Sequence, residues 1–99
     1  MSQPTILLTG VEPFAGLSVN PSAEVAKARD GRVVGDALVR GAILPVHHAE
    51  VAPRVTRLVD DTDPFAILHL GLAGGRARLS LERVAVNVMD YETPDNAGH

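Results

Sequence analysis

The chain has 99 residues, 45% hydrophobic and 21% charged, with a net charge of -3 and a pI near 5.7. This is the composition of one modest globular domain, not of a disordered chain, and without a Lys/Arg cluster it gives nucleic acid no electrostatic footing. The apolar runs fall well short of the roughly 20 residues of a membrane helix, Met1-Ser2-Gln3-Pro4 lacks the features of a signal peptide, and zero cysteines exclude disulfides and thiolate metal sites within these residues.

A soluble, cytoplasmic protein is the expectation. Thr5-Ile6-Leu7-Leu8-Thr9 is a short apolar run stopped by Gly10, as a buried strand would be. Gly10 to Asn20, with Pro13 and Gly16, reads as a loop. Asn20-Pro21-Ser22 then pairs a capping side chain with Pro at the first helical position, which predicts a helix running to about Gly31. A second strand fits Ala37 to Leu44 and ends at Pro45. Val51, Val55, Leu58 and Val59 recur at helical spacing within His48 to Asp61 and predict a second helix, in which Pro53 is tolerable only in the first turn. The acidic loop Asp60-Asp61-Thr62-Asp63-Pro64 closes it, at the dipole end that disfavours negative charge. Phe65 to Leu70 is a third strand, the glycine loop Gly71-Leu72-Ala73-Gly74-Gly75-Arg76 follows, and Leu79 to Val88 fits a fourth. Asp90 to His99 is again loop.

Alternating strands and helices indicate an α/β fold, a mostly parallel twisted sheet in a three-layer α/β/α arrangement. Residues 1–99 are read as the amino-terminal part of one such domain, with the sheet incomplete and an apolar face left uncovered. Ligands in these folds gather at the carboxyl ends of the strands. Here those ends carry Gly10 to Asn20, His47-His48, Gly71 to Arg76 and the terminal loop.

Glu82 and Arg83 interrupt the fourth strand. Neighbouring strand residues face opposite ways, so Glu82 shares a face with Ser80, Val84, Val86 and Val88 and needs its own partner. An ion pair or a rim position would satisfy it, as would an imidazole held by the carboxylate in a nucleophile–base–orienter triad; spacing alone leaves these open. His69, near the end of the third strand, would reach Glu82 if the two strands are neighbours, and otherwise reads as a satisfied structural histidine. His47 and His48 are adjacent and do not share a helix face, which argues against a metal site. Neither glycine loop carries G-x-G-x-x-G or the Lys-Ser/Thr of a P-loop, although their amides could cradle a small polar ligand. Asn87, Asp90, Asp95 and Asn96 are explained by turn chemistry.

Several motifs, in order, resemble the amino-terminal half of the pyroglutamyl peptidase I (pyrrolidone carboxyl peptidase) family. Leu8-Thr9-Gly10-Val11-Glu12-Pro13-Phe14-Ala15-Gly16 is similar to the family's L-x-G-F-E-P-F-G-G, and Asn20-Pro21-Ser22 to its N-P-[ST]. Leu44-Pro45-Val46, Gly71 to Arg76, Leu81 to Asn87 and Pro94-Asp95-Asn96-Ala97-Gly98 have counterparts in the same register. The resemblance implies a cysteine exopeptidase that removes an amino-terminal pyroglutamyl residue from peptides by a Cys–His–Glu triad. It implies no metal or cofactor, and a homo-oligomer, tetrameric as in the family.

Glu82 falls on the triad glutamate, and Arg83 on a structural residue of the same motif. Phe14 falls on one of two aromatics lining the pyrrolidone-ring pocket, and Val11 stands where the family usually has the other. Asn20 and the main chain at Leu72 fall where the family orders and hydrogen-bonds the substrate. Ala15 replaces a glycine, and Glu92 stands where many members carry an arginine. The family's nucleophilic Cys and catalytic His have no counterpart here, and neither His69 nor His99 matches that His. Two other readings stay open: a non-catalytic fragment or pseudoenzyme that binds lactams, and a phosphorylase-like α/β protein using the glycine loops for phosphate.

Overall fold

A computed structural model describes residues 3–13, 18–72, 79–82 and 96. Phe14, most of the glycine loop after Leu72, residues 83–88 of the expected fourth strand, and the terminal loop apart from Asn96 lie outside them. The elements are β1 (Thr5–Val11), α1 (Pro21–Arg29), β2 (Val33–Val34), β3 (Ala37–Leu44), α2 (His48–Thr62) and β4 (Ala66–His69). They form a sheet of order β2-β3-β1-β4. β1 pairs in parallel with β3 and β4, and β2 pairs antiparallel to β3. The fold is therefore α/β with a mostly parallel, mixed sheet.

The edge strand β2 escaped the sequence reading. Gly35, with φ 62°, occupies the first central position of a two-residue turn between the paired Val34 and Ala37. Gly followed by Asp between apolar residues is a recognised hairpin signal. The strand is too short to show the alternation that reveals longer ones.

Register assigns the faces. Leu8 pairs with Gly41 and Ile6 with Val39, and Leu8, Val39 and Ala26 of α1 form the core cluster. The alternate residues Thr5, Leu38 and Arg40 line an open cleft with Asp61 and Thr62 from the end of α2. The helices thus lie on opposite faces, as right-handed crossovers require, and give three layers.

Small residues set the α1 contact. The helix buries Ser22, Ala23 and Ala26, and beneath it lie Gly10 and Gly41. A Cβ on Gly10 would collide with the Ser22 carbonyl, 2.6 Å from its carbon and 2.8 Å from Ala23 Cα; one on Gly41 would strike the Ala26 carbonyl. These obstacles are backbone, which no rotamer change can move aside.

In α2 the stripe Val51, Val55, Leu58 and Val59 is half-buried, so the helical period identified the inward face correctly. Pro53 does not meet the condition of lying in the first turn. The helix begins at His48, which makes Pro53 its sixth residue, beyond the first turn. It denies the Ala49 carbonyl its i+4 donor, a penalty of about 3 kcal/mol in a helix interior. Pro53 and Ala49 are both exposed, so water can serve the carbonyl.

The expected fourth strand is not formed where it is described: residues 79–82 lie outside the sheet. Leu79 and Leu81 are 102% and 92% exposed, and Phe65, Ile67 and Leu68 around β4 are also exposed. Exposed apolar side chains are thus present at β4, and also on the other edge strand, β2, at Val33 and Val34.

Candidate active site

The carboxyl ends of β1, β3 and β4 converge on one edge of the sheet, and this edge holds most of the described candidate residues. At the end of β1, Val11 donates its N–H to Ser22 Oγ at 2.9 Å. Ser22 Oγ in turn donates to Asn20 Oδ1 at 2.7 Å, and Ser22 N–H donates to the same oxygen at 3.0 Å. Asn20 is 1% exposed and caps α1, as its sequence position predicts. Its Nδ2 donates to the Glu12 carbonyl at 3.4 Å. The side chain of Asn20 thus locks the start of α1 to the chain leaving β1, on either side of the segment that contains Phe14.

Glu12 extends the strand pairing by one residue, its N–H donating to the Leu44 carbonyl at 3.1 Å. Its carboxylate Oε1 accepts from Val46 N–H and from Asn96 Nδ2, both at 2.8 Å. Asn96 also donates its N–H to the Val46 carbonyl at 2.7 Å and Nδ2 to the Pro13 carbonyl at 2.9 Å. Sequence reading gave Asn96 to turn chemistry and passed over Glu12. A carboxylate in a loop carries no signal of its own until its partners, distant in sequence, are in place.

At the end of β4, Thr9 Oγ1 and His69 Nδ1 lie 2.6 Å apart on register-paired residues. Thr9 is fully buried. Contact of His69 with Glu82 required their strands to be neighbours, and residues 79–82 form no strand; the ring instead meets the hydroxyl of β1, in keeping with the reading of a satisfied structural histidine. Leu70 N–H then donates to the Thr9 carbonyl at 2.8 Å, which fixes the approach to half-buried Leu72. Glu82 is exposed. Among the described residues, no three or more His, Asp or Glu side chains gather as a metal site, and no helix is long and apolar enough to cross a membrane.

The model of the pyroglutamyl peptidase family matches residues 4–99. The chain is similar to the pyrrolidone-carboxylate peptidase of Deinococcus radiodurans, 48% identical over 96 residues that cover 96% of this chain and 44% of that protein. The corresponding protein of Coprothermobacter proteolyticus is 44% identical over 94 residues, covering 95% and 45%. Among solved structures, the pyrrolidone carboxyl peptidase of Thermococcus litoralis superposes with a TM-score of 0.93 at 38% identity, covering 97% of this chain and 44% of that one. That of Pyrococcus furiosus gives 0.93 at 41%, covering 96% and 46%. The chain spans a little under half the length of these relatives.

Proposed function

Because this chain belongs to the pyroglutamyl peptidase family, we propose that it is the amino-terminal part of a cysteine exopeptidase that removes pyroglutamyl residues from peptide amino termini. The observation that carries this reading is the family match across residues 4–99, and it is supported by the described motif residues Val11, Glu12, Asn20 and Val46, which lie at the carboxyl edge of the parallel strands. That edge is where α/β folds place their ligands.

Each candidate residue has a role in this reading. Val11 and Phe14 line the slot for the flat, uncharged lactam ring, with backbone groups reading its amide. Val11 makes the slot looser than a second aromatic would. Asn20 orders the loop through its contacts with Ser22 and Glu12, and the main chain at Leu72 hydrogen bonds the substrate. Glu82 orients and charge-stabilises an imidazole supplied from outside these residues.

With no cysteine, the thiolate must also come from outside the chain. It attacks the carbonyl that joins pyroglutamate to the next residue, and the imidazole passes the proton to the leaving amine. Backbone amides steady the oxyanion, and water then releases the acyl group. No metal or cofactor takes part. The complete enzyme is a homo-oligomer, tetrameric as in the family, acting in the cytoplasm.

The complete enzyme is expected to cleave a pyroglutamyl anilide and to lose that activity on thiol alkylation. Glu82→Gln should lower kcat by about 10²–10⁴-fold, the scale seen when a triad carboxylate is neutralised. Unchanged turnover in that variant would remove the triad assignment. The absent thiol favours one other reading, a lactam-binding fragment without catalysis. Binding of 2-pyrrolidone with no cleavage by the complete protein would select it.

A further inference from the structure

Glu12 joins three segments that are far apart in sequence. Its backbone sits at the end of β1, its Oε1 accepts from Val46 in the loop between β3 and α2, and the same oxygen accepts from Asn96. Asn96 closes the ring through the Val46 carbonyl and the Pro13 carbonyl. The donors are neutral amides, and among the described residues no cation forms an ion pair with Glu12. What the site uses is therefore a shared acceptor at a fixed place, strengthened by charge. The next residue but one after Glu12 is Phe14.

Resting on the peptidase reading above, we propose that Glu12 is a positioning residue for the pyroglutamyl pocket. Its carboxylate ties the β1, β3 and Asn96 segments into one rim, so that the end of β1, with Val11 of the ring slot, is fixed before substrate arrives. A rim assembled in advance saves the ordering cost at the moment of binding. Its loss should therefore register in substrate binding more than in the chemical step.

The test is a double-mutant cycle in the complete enzyme, using Glu12→Ala, Asn96→Ala and their combination, with Glu12→Gln as the conservative variant. Anilide KM and kcat and the thermal midpoint are measured for each. Glu12→Ala and Asn96→Ala should each raise KM about tenfold with kcat within about threefold of wild type. Residues acting as one unit are non-additive, so the double variant should be no worse than the poorer single. Glu12→Gln keeps an acceptor oxygen and should hold KM within about threefold.

Three results would overturn the proposal. A double variant about a hundredfold worse in KM would show independent sites. A lowered midpoint with unchanged KM would show a purely structural link. Loss of kcat in Glu12→Gln would show that the charge itself enters the chemistry. A wild-type enzyme that leaves the anilide uncut rejects the peptidase reading and this role with it, whereas an active wild type showing any of those three patterns rejects the role alone.

Discussion

Gly10→Ala tests the contact that places α1 against the candidate site. The new Cβ would sit 2.6 Å from the Ser22 carbonyl carbon and 2.8 Å from Ala23 Cα, where carbon atoms prefer about 3.5–4.0 Å. The first turn of α1 must therefore retreat by about 1 Å. That retreat stretches the Val11–Ser22 bond from 2.9 Å beyond hydrogen-bonding range. Overpacking costs about 1–3 kcal/mol and the bond about 1 kcal/mol, so the variant should lose about 2–4 kcal/mol. In a protein of the relatives' size, this is a fall in Tm of about 5–15 °C, read by denaturant and thermal unfolding of the complete enzyme. Gly71 provides the control, since a Cβ there meets nothing within 4 Å and Gly71→Ala should stay within about 0.5 kcal/mol. If Gly10→Ala unfolds at the wild-type midpoint, or if the two variants behave alike, the close helix–sheet packing is wrong.

Pro53→Ala should raise stability by about 1–2 kcal/mol, because restoring a donor to the Ala49 carbonyl outweighs the extra freedom of the unfolded chain. A lower denaturation midpoint would contradict that. Thr9→Val keeps the side-chain shape but removes the hydroxyl paired with His69; it should cost about 1 kcal/mol, and the imidazole resonances of His69 should shift by NMR. Leu81→Ala in the complete enzyme should cost about 2–5 kcal/mol, the penalty of a truncated buried leucine. A loss under about 0.5 kcal/mol would mean that Leu81 remains at a surface there.

The elements legible in the sequence were those carried by a strong local signal. Asn20-Pro21 marked the start of α1, Gly31 its end, and the valine–leucine stripe the inner face of α2. Strand β1 ran two residues beyond the expected Thr9, because its pairing with β3 continues through Gly10 and Val11, where glycine looked like a stop. Local pattern misled at Pro53, since a helix held by its inner face tolerates one missing bond on the wet side. The family was legible because its motifs are short, distinctive and stand in the family's order along the chain. The Glu12–Asn96 link was not, because nothing local joins residues separated by 84 positions.

Glu82 raises the remaining physical question, since a carboxylate open to water is a poor orienter of an imidazole. Solvent screens its field, and water competes for its lone pairs. To act in a triad it must be desolvated, at a cost of several kcal/mol. The sequence supplies an offset in the adjacent residues. Leu79 and Leu81 alternate with Ser80 and Glu82, so extending this segment as a strand turns both leucines to one face and the carboxylate to the other. Burying two leucines that are now almost wholly exposed contributes about 1.5–3 kcal/mol each, which is of the same order as the carboxylate's penalty. The exposed Ile67 and Leu68 of β4 provide apolar surface of the kind such a strand would cover. On this argument, closure over Leu81 and activation of Glu82 are one event, and the Leu81→Ala and Glu82→Gln variants read its two faces.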